Sequence, residues 1–321
     1  MSVVQTIRGP IDSADLGRTL SHEHMAPGSA GMERIPGLYD EAEALTADIE
    51  ALGRARGAGI DSIIDLTPFD LGRQISLFQS IAEADTGVNI VCATGVYRWV
   101  PFYFLLADAD AIAEYFLSEI QDGIEGTSIK AGIIKLAWDL EYRLDEPPVG
   151  PRQLLEKSAR GAARAAKASG VPISCHTRAV DELGTPLLDI FEDEGLDLRA
   201  VTIGHTNDST DIDYVTGLAK RGATVGLDRF SSDEPDYVAQ RSGIALEMVK
   251  AGFAEQTSLG HDGFPYVCIG MERPPNPDCW LKVPNVEVPW LLANGATEAD
   301  VDLMLRGSIR ATFEAAAAMA Q

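Results

Sequence analysis

Four of the five histidines in this 321-residue chain stand where short apolar runs give way to polar residues. His22 and His24 close the run Thr19-Leu20-Ser21-His22-Glu23-His24. Alternate side chains share one face of a β-strand, so both imidazoles point the same way. His176 follows Pro172-Ile173-Ser174-Cys175, and His205 follows Val201-Thr202-Ile203-Gly204. Lys135 closes Ala131-Gly132-Ile133-Ile134-Lys135, and Asp262 closes Thr257-Ser258-Leu259-Gly260-His261-Asp262. Six donors on five strand ends suit a pair of divalent cations and the hydrolytic chemistry that such ions support.

Lys135 has three readings. Its ammonium can snorkel to solvent, form a Schiff base as in barrel aldolases, or react with CO2 to give a carbamate that bridges two cations. Beside four histidines the carbamate is favoured, because a bare ammonium next to a cation is repelled. Asp262 is a hard oxygen donor suited to zinc, manganese, iron or cobalt, and it can also accept a proton from water. His261 alternates to the other face and reads as a packed, hydrogen-bonded histidine. Glu23 likewise points away from its histidine neighbours.

Strand and helix patterns alternate along the chain and position these donors. Strands are predicted at 19–25, 62–68, 89–97, 131–137, 172–177, 201–206, 224–228 and 257–262. Helices are predicted at 41–57, 74–84, 109–123, 152–169, 181–195, 211–221 and 241–252, with a helical tail at 297–319 and a short hairpin ahead of Gly9-Pro10. In 152–169, Leu155, Ala159, Ala162, Ala163 and Ala166 make one face, while Glu156, Arg160, Arg164 and Lys167 mark the solvated one. The donors fall on the first, fourth, fifth, sixth and eighth strands. An open sheet gathers ligands at its switch point, whereas a closed barrel brings such distant strands around one centre. The expected fold is therefore a (β/α)8 TIM-type barrel with a short N-terminal hairpin, forming one domain over residues 1–321.

A balance of 26 basic against 49 acidic residues gives a formal charge of −23. Such a surface repels phosphate backbones and anionic lipid, which argues against nucleic-acid and membrane partners. Cys92, Cys175, Cys268 and Cys279 show no CxxC spacing, consistent with a reducing compartment. No secretory leader pattern opens the chain and no run reaches membrane-spanning length, so a cytoplasmic protein is expected.

The segments Gly17-Arg18-Thr19-Leu20-Ser21-His22-Glu23-His24, Ala131-Gly132-Ile133-Ile134-Lys135, Ile203-Gly204-His205 and Gly226-Leu227-Asp228-Arg229, with the strand ending in His176, together resemble the phosphotriesterase family of the amidohydrolase superfamily. The likeness runs in order from about residue 9 to the C-terminus. It implies two divalent ions, zinc first and cobalt, manganese or iron as alternatives. His22, His24 and Asp262 would hold the buried ion, and His176 and His205 the more exposed one. Carboxylated Lys135 and a hydroxide would bridge them. Ala93-Thr94-Gly95-Val96-Tyr97 followed by Val100-Pro101-Phe102-Tyr103 is similar to the lactonase-like branch, which implies that Tyr97 leans toward the substrate carbonyl. Arg229 matches a position of that branch near the substrate pocket. A homodimer is the expected assembly.

Two departures stand out. Gly307-Ser308-Ile309-Arg310 replaces the family's Asn-Pro pair in the closing helix, and the loop after the eighth strand, with Phe264, Tyr266, Met271, Cys279 and Trp280, follows no assignable substrate pattern. The expected activity is metal-dependent opening of lactones, N-acyl-homoserine lactones among them, with a promiscuous organophosphate triesterase activity. The alternatives are a dedicated phosphotriesterase, a Schiff-base aldolase that leaves the histidines unexplained, and a non-enzymatic metal-binding barrel.

Overall fold

The computed structural model describes residues 2–98, 100–139, 151–268 and 274–320. Strands β1 (Val3–Thr6) and β2 (Gly9–Asp12) form the antiparallel N-terminal hairpin. The next eight strands are parallel and pair in chain order: β3 (Thr19–Glu23), β4 (Ser62–Asp65), β5 (Asn89–Gly95), β6 (Ile133–Trp138), β7 (Ile173–Thr177), β8 (Val201–Ile203), β9 (Thr224–Leu227) and β10 (Thr257–Leu259). The ring closes just beyond the last strand. Glu23 bridges to Gly263, the Asp262 amide donates to the His22 carbonyl at 3.0 Å, and the His24 amide donates to the Gly263 carbonyl at 3.0 Å. This is the expected (β/α)8 barrel.

Two apolar layers follow from the strand period of two. Ile64, Val91, Ala93 and Ile133 point into the barrel, where Val4, Leu16, Ile309 and Phe313 plug its N-terminal end. Ile63, Ile90, Cys92, Ile134 and Leu136 point outward onto the helices. Lys135 shares the inward parity of Ile133, which places its amine inside the barrel with 1% of the residue exposed. It lies in mid-strand rather than at a strand end, because β6 continues to Trp138.

The surrounding helices are α1 (Glu41–Gly57), α2 (Ile75–Glu83), α3 (Ala109–Gln121), α4 (Pro151–Ser169), α5 (Gly184–Asp193), α6 (Ile212–Lys220), α7 (Pro235–Lys250), α8 (Val288–Ala293), α9 (Glu298–Asp302) and α10 (Ser308–Met319). Asp40 caps α1 by accepting from the Ala42 and Glu43 amides. On α4 the small residues Ala159, Ala162, Ala163 and Ala166 are all buried, and Glu156 pairs with Arg160 one turn on. Helix α7 starts six residues earlier than the pattern at 241–252 suggests. Pro235 opens its first turn, where the fixed φ of proline favours a helix start. The loop after β9 is correspondingly short. The helical tail runs on from α9 to α10 through one wide helical turn at Leu303–Gly307, which ends where Gly307-Ser308-Ile309-Arg310 replaces the Asn-Pro pair. Among the described residues no helix is long and apolar enough to cross a membrane.

Candidate metal centre

The barrel brings all six candidate donors together, five at or just past the C-terminal ends of their strands and Lys135 from within β6. Ring centroids lie 5.3 Å apart for His22 and His24, 4.9 Å for His22 and His205, and 4.4 Å for His176 and His205. Asp262 Oδ1 is 2.9 Å from His24 Nε2 and 3.4 Å from His22 Nε2. Lys135 Nζ is 3.0 Å from His22 Nε2, and His176 Nδ1 is 2.7 Å from His205 Nε2. Donor atoms of His22, His205 and Asp262 all fall within 4.8 Å of one another, close enough to share an ion.

Three of these residues do not lie on strands at all: His24 directly follows β3, which ends at Glu23, and the other two lie further past their strands. β8 stops at Ile203 and β10 at Leu259; His205 and Asp262 then take left-handed backbone, with φ of 62° and 52°. That region is costly for residues with a Cβ and persists where surrounding bonds impose it. Here the Asp228 carboxylate accepts from the His205 amide at 2.7 Å, and the His22 carbonyl accepts from the Asp262 amide. Gly204 makes room for this arrangement. A Cβ there would sit 2.9 Å from Asp228 Oδ2 and 3.0 Å from the Cys175 carbonyl. Gly95, at φ 113°, lets β5 approach Lys135; a Cβ would meet the Lys135 carbonyl at 2.0 Å.

Each imidazole is oriented by a partner on its far side. Asp228 Oδ2 accepts from His22 Nδ1 and its Oδ1 accepts from His205 Nδ1, both at 2.7 Å. His24 Nδ1 lies 2.9 Å from the Thr67 hydroxyl, which in turn donates to Asp65. His176 Nε2 lies 3.1 Å from Asp139 Oδ2. The sequence reading assigned no role to Asp65, Asp139 or Asp228. Yet each closes or directly follows an apolar strand, the same signal that singled out Asp262.

Burial keeps His22, His176 and His205 neutral with their lone pairs available. It lowers His22 to about 4, helped by the Lys135 charge, and also lowers His176 and His205. Burial brings the Lys135 amine down to about 8, so a neutral nucleophilic amine is accessible there. Arg229 Nη1 holds Asp262 Oδ2 at 2.8 Å, and Arg229 Nε lies 3.7 Å from Asp208. Four imidazoles, an ionised aspartate and an amine able to form a carbamate are a donor set that fits two divalent ions.

Tyr97 lies two residues past β5. Its amide donates to both Asp70 oxygens, at 2.7 and 2.9 Å, and its ring meets His176 edge-on at 5.1 Å. Burial, then the Asp262 charge, pushes its phenol up to about 12, so the hydroxyl keeps its proton at neutral pH. His261 and Glu23 turn away from the donors, as expected. The Glu23 carboxylate accepts from the His261 amide and from its Nδ1, while His261 Nε2 accepts from the Val283 amide at 2.9 Å.

A cavity of about 480 Å³ opens beside Asp262, lined by Phe230, Phe264, Tyr266, Cys279 and Lys282 among others. Trp280 is not part of that wall. It is fully buried and donates to the Gly263 carbonyl at 3.2 Å, pinning the loop to the barrel closure. Met271 lies outside the described residues.

Comparison with known proteins agrees with this geometry. The model of the phosphotriesterase family matches residues 2–313. A phosphotriesterase homology protein of Mycobacterium tuberculosis is 37% identical, with 98% of each chain covered. An aryldialkylphosphatase of Saccharolobus solfataricus is 37% identical over 80% of this chain and 79% of its own. The solved structure of the phosphotriesterase from Mycobacterium tuberculosis superposes with a TM-score of 0.85 at 36% identity, covering 97% of this chain and 98% of that one. This chain belongs to the phosphotriesterase family of the amidohydrolase superfamily.

Proposed function

We propose that this chain is a two-ion hydrolase that opens lactones, N-acyl-homoserine lactones among them, and turns over organophosphate triesters as a slower side reaction. His22, His24 and Asp262 would hold the inner ion, His176 and His205 the outer one, and carboxylated Lys135 would lie between them. Divalent ions at such a site, zinc first among the candidates, supply Lewis acidity toward a carbonyl and a lowered pKa of water.

The chain's own residues supply the rest. Asp262 is ionised, partly exposed to the adjoining cavity and fixed by Arg229, so it can take up the proton released when water adds to the carbonyl and return it to the leaving alkoxide. Arg229 keeps its own proton at every working pH, so it orients Asp262 without relaying protons. The Tyr97 hydroxyl is a protonated donor beside His176, suited to a carbonyl oxygen that gains negative charge. The cavity next to Asp262, with Phe230, Phe264 and Tyr266 in its wall, suits an acyl chain.

The placement of Tyr97 against His176 carries the lactone reading. The relative described as an aryldialkylphosphatase favours the second reading, a dedicated phosphotriesterase. Elemental analysis followed by a panel of γ- and δ-lactones, acyl-homoserine lactones and paraoxon-type esters decides between them. The expected result is about two divalent ions per chain and a lactone kcat/KM at least roughly tenfold above that for the triesters. A triester preference would overturn the lactone reading, and one ion or none with full activity would overturn the two-ion site.

A further inference from the structure

The four histidines do not present the same nitrogen to the centre. His22, His24 and His205 each turn Nδ1 outward, to Asp228, Thr67 and Asp228, and aim Nε2 inward. His176 is reversed: Nδ1 faces His205 Nε2 at 2.7 Å and Nε2 points outward to Asp139. Nδ1 is the nitrogen nearer the backbone, so a reversed ring is held close to its own strand and depends on whatever fixes its χ2 orientation. A ring flip of about 180° would put a carbon where Nδ1 now stands.

Asp139 is placed to prevent that flip. It follows β6 directly, four residues after Lys135, and is buried. Its Oδ2 stands 3.1 Å from His176 Nε2 and 3.5 Å from Arg98 Nη1. A carboxylate has no proton to give, so His176 must carry hydrogen on Nε2 and offer its lone pair on Nδ1. Arg98 adjoins Tyr97, so the same ion pair ties the loop bearing the candidate substrate residue to the histidine beneath it.

We infer that Asp139 is a positioning residue that fixes the tautomer and ring orientation of His176, and thereby the affinity of the outer ion alone. This rests on the two-ion reading of the site. Asp228 touches His22 and His205, one from each set, whereas among the described residues the candidate ligand that Asp139 meets is His176. Its removal therefore acts on one ion.

Zinc-loaded protein challenged with a chelating indicator provides the test. Wild type should release about two ions in two resolved phases; release of one ion or none would count against the two-ion reading itself. Asp139→Ala should speed one phase by about 10- to 100-fold and leave the other within about twofold. Asp139→Asn keeps an acceptor without the charge and should speed the same phase by a smaller factor. The melting temperature of the metal-free protein should be unchanged in Asp139→Asn, which separates positioning from a general packing role. Two unchanged phases in both variants, or equal acceleration of both phases, would overturn the inference while leaving the two-ion reading intact.

Discussion

Arg229 donates through Nη1 to Oδ2 of Asp262 at 2.8 Å, leaving Oδ1 of that carboxylate to face His22 and His24. One oxygen is thus anchored and the other is directed at the centre. A charge-assisted hydrogen bond of this kind contributes about 1.5–3 kcal/mol. Arg229→Met should lower kcat/KM about tenfold or more for lactone and triester alike, with ion content unchanged by elemental analysis. Loss of an ion in this variant would show that Arg229 secures metal binding and not only the orientation of Asp262.

Asp228 divides its two oxygens between His22 and His205, at 2.7 Å from each Nδ1. An amide at this position has one acceptor and one donor, so it can satisfy only one imidazole N–H. Asp228→Asn should weaken both ions, by about 10- to 100-fold in affinity, measured by competition with a chelator. Weakening of one ion alone would contradict the shared role.

Lys135 is buried inside the barrel against His22. As a carbamate bridge it serves both ions, so Lys135→Ala should lose metal and activity together. Short carboxylic acids should restore part of both by supplying the missing oxygens. A variant that keeps its ions and its rate would refute the bridge, and borohydride trapping of wild type with a carbonyl substrate would point to a Schiff base instead.

Tyr97 distinguishes the two substrate classes. A planar lactone carbonyl becomes tetrahedral and gains charge that a phenol can steady, whereas a phosphotriester is already tetrahedral and bulkier. Tyr97→Phe should reduce lactone kcat/KM by about tenfold, the equivalent of one hydrogen bond of ~1.5 kcal/mol, and triester kcat/KM by less. Equal losses measured on the same metal-loaded preparations would remove the main support for the lactone reading.

Asp48, on the inner face of α1, is fully buried, and neither of its oxygens has a hydrogen-bond partner among the described residues. Burial, then the Asp65 charge, raises its pKa well above the usual carboxylate range. Below about pH 4 the folded and unfolded chains both hold this proton, so the group costs nothing. As pH rises past that point the unfolded chain releases the proton while the folded one retains it, and stability falls until the folded group itself titrates. Asp48→Asn should therefore be more stable than wild type at pH 7.5, by on the order of 2 °C or more in Tm, with the gap closing toward pH 4. A variant that is less stable at pH 7.5 would show that the carboxylate is satisfied in the fold.

The six candidate donors and the barrel that holds them were legible in the sequence because both depend on local pattern. Apolar runs of strand length ending in His or Asp recur at barrel spacing, and alternation alone sends Lys135 inward with Ile133 and turns Glu23 and His261 away. What the pattern leaves open is set by contacts between residues far apart in the chain. Nothing near His22 indicates that Asp228, 206 positions away, accepts from its Nδ1. Strand alternation also does not foresee the left-handed turns at His205 and Asp262, which exist because Asp228 and the His22 carbonyl capture their amides once the ring has closed. The reversed ring of His176 is of the same kind. Its orientation depends on Asp139 arriving from the neighbouring strand, a pairing made only when the barrel is assembled.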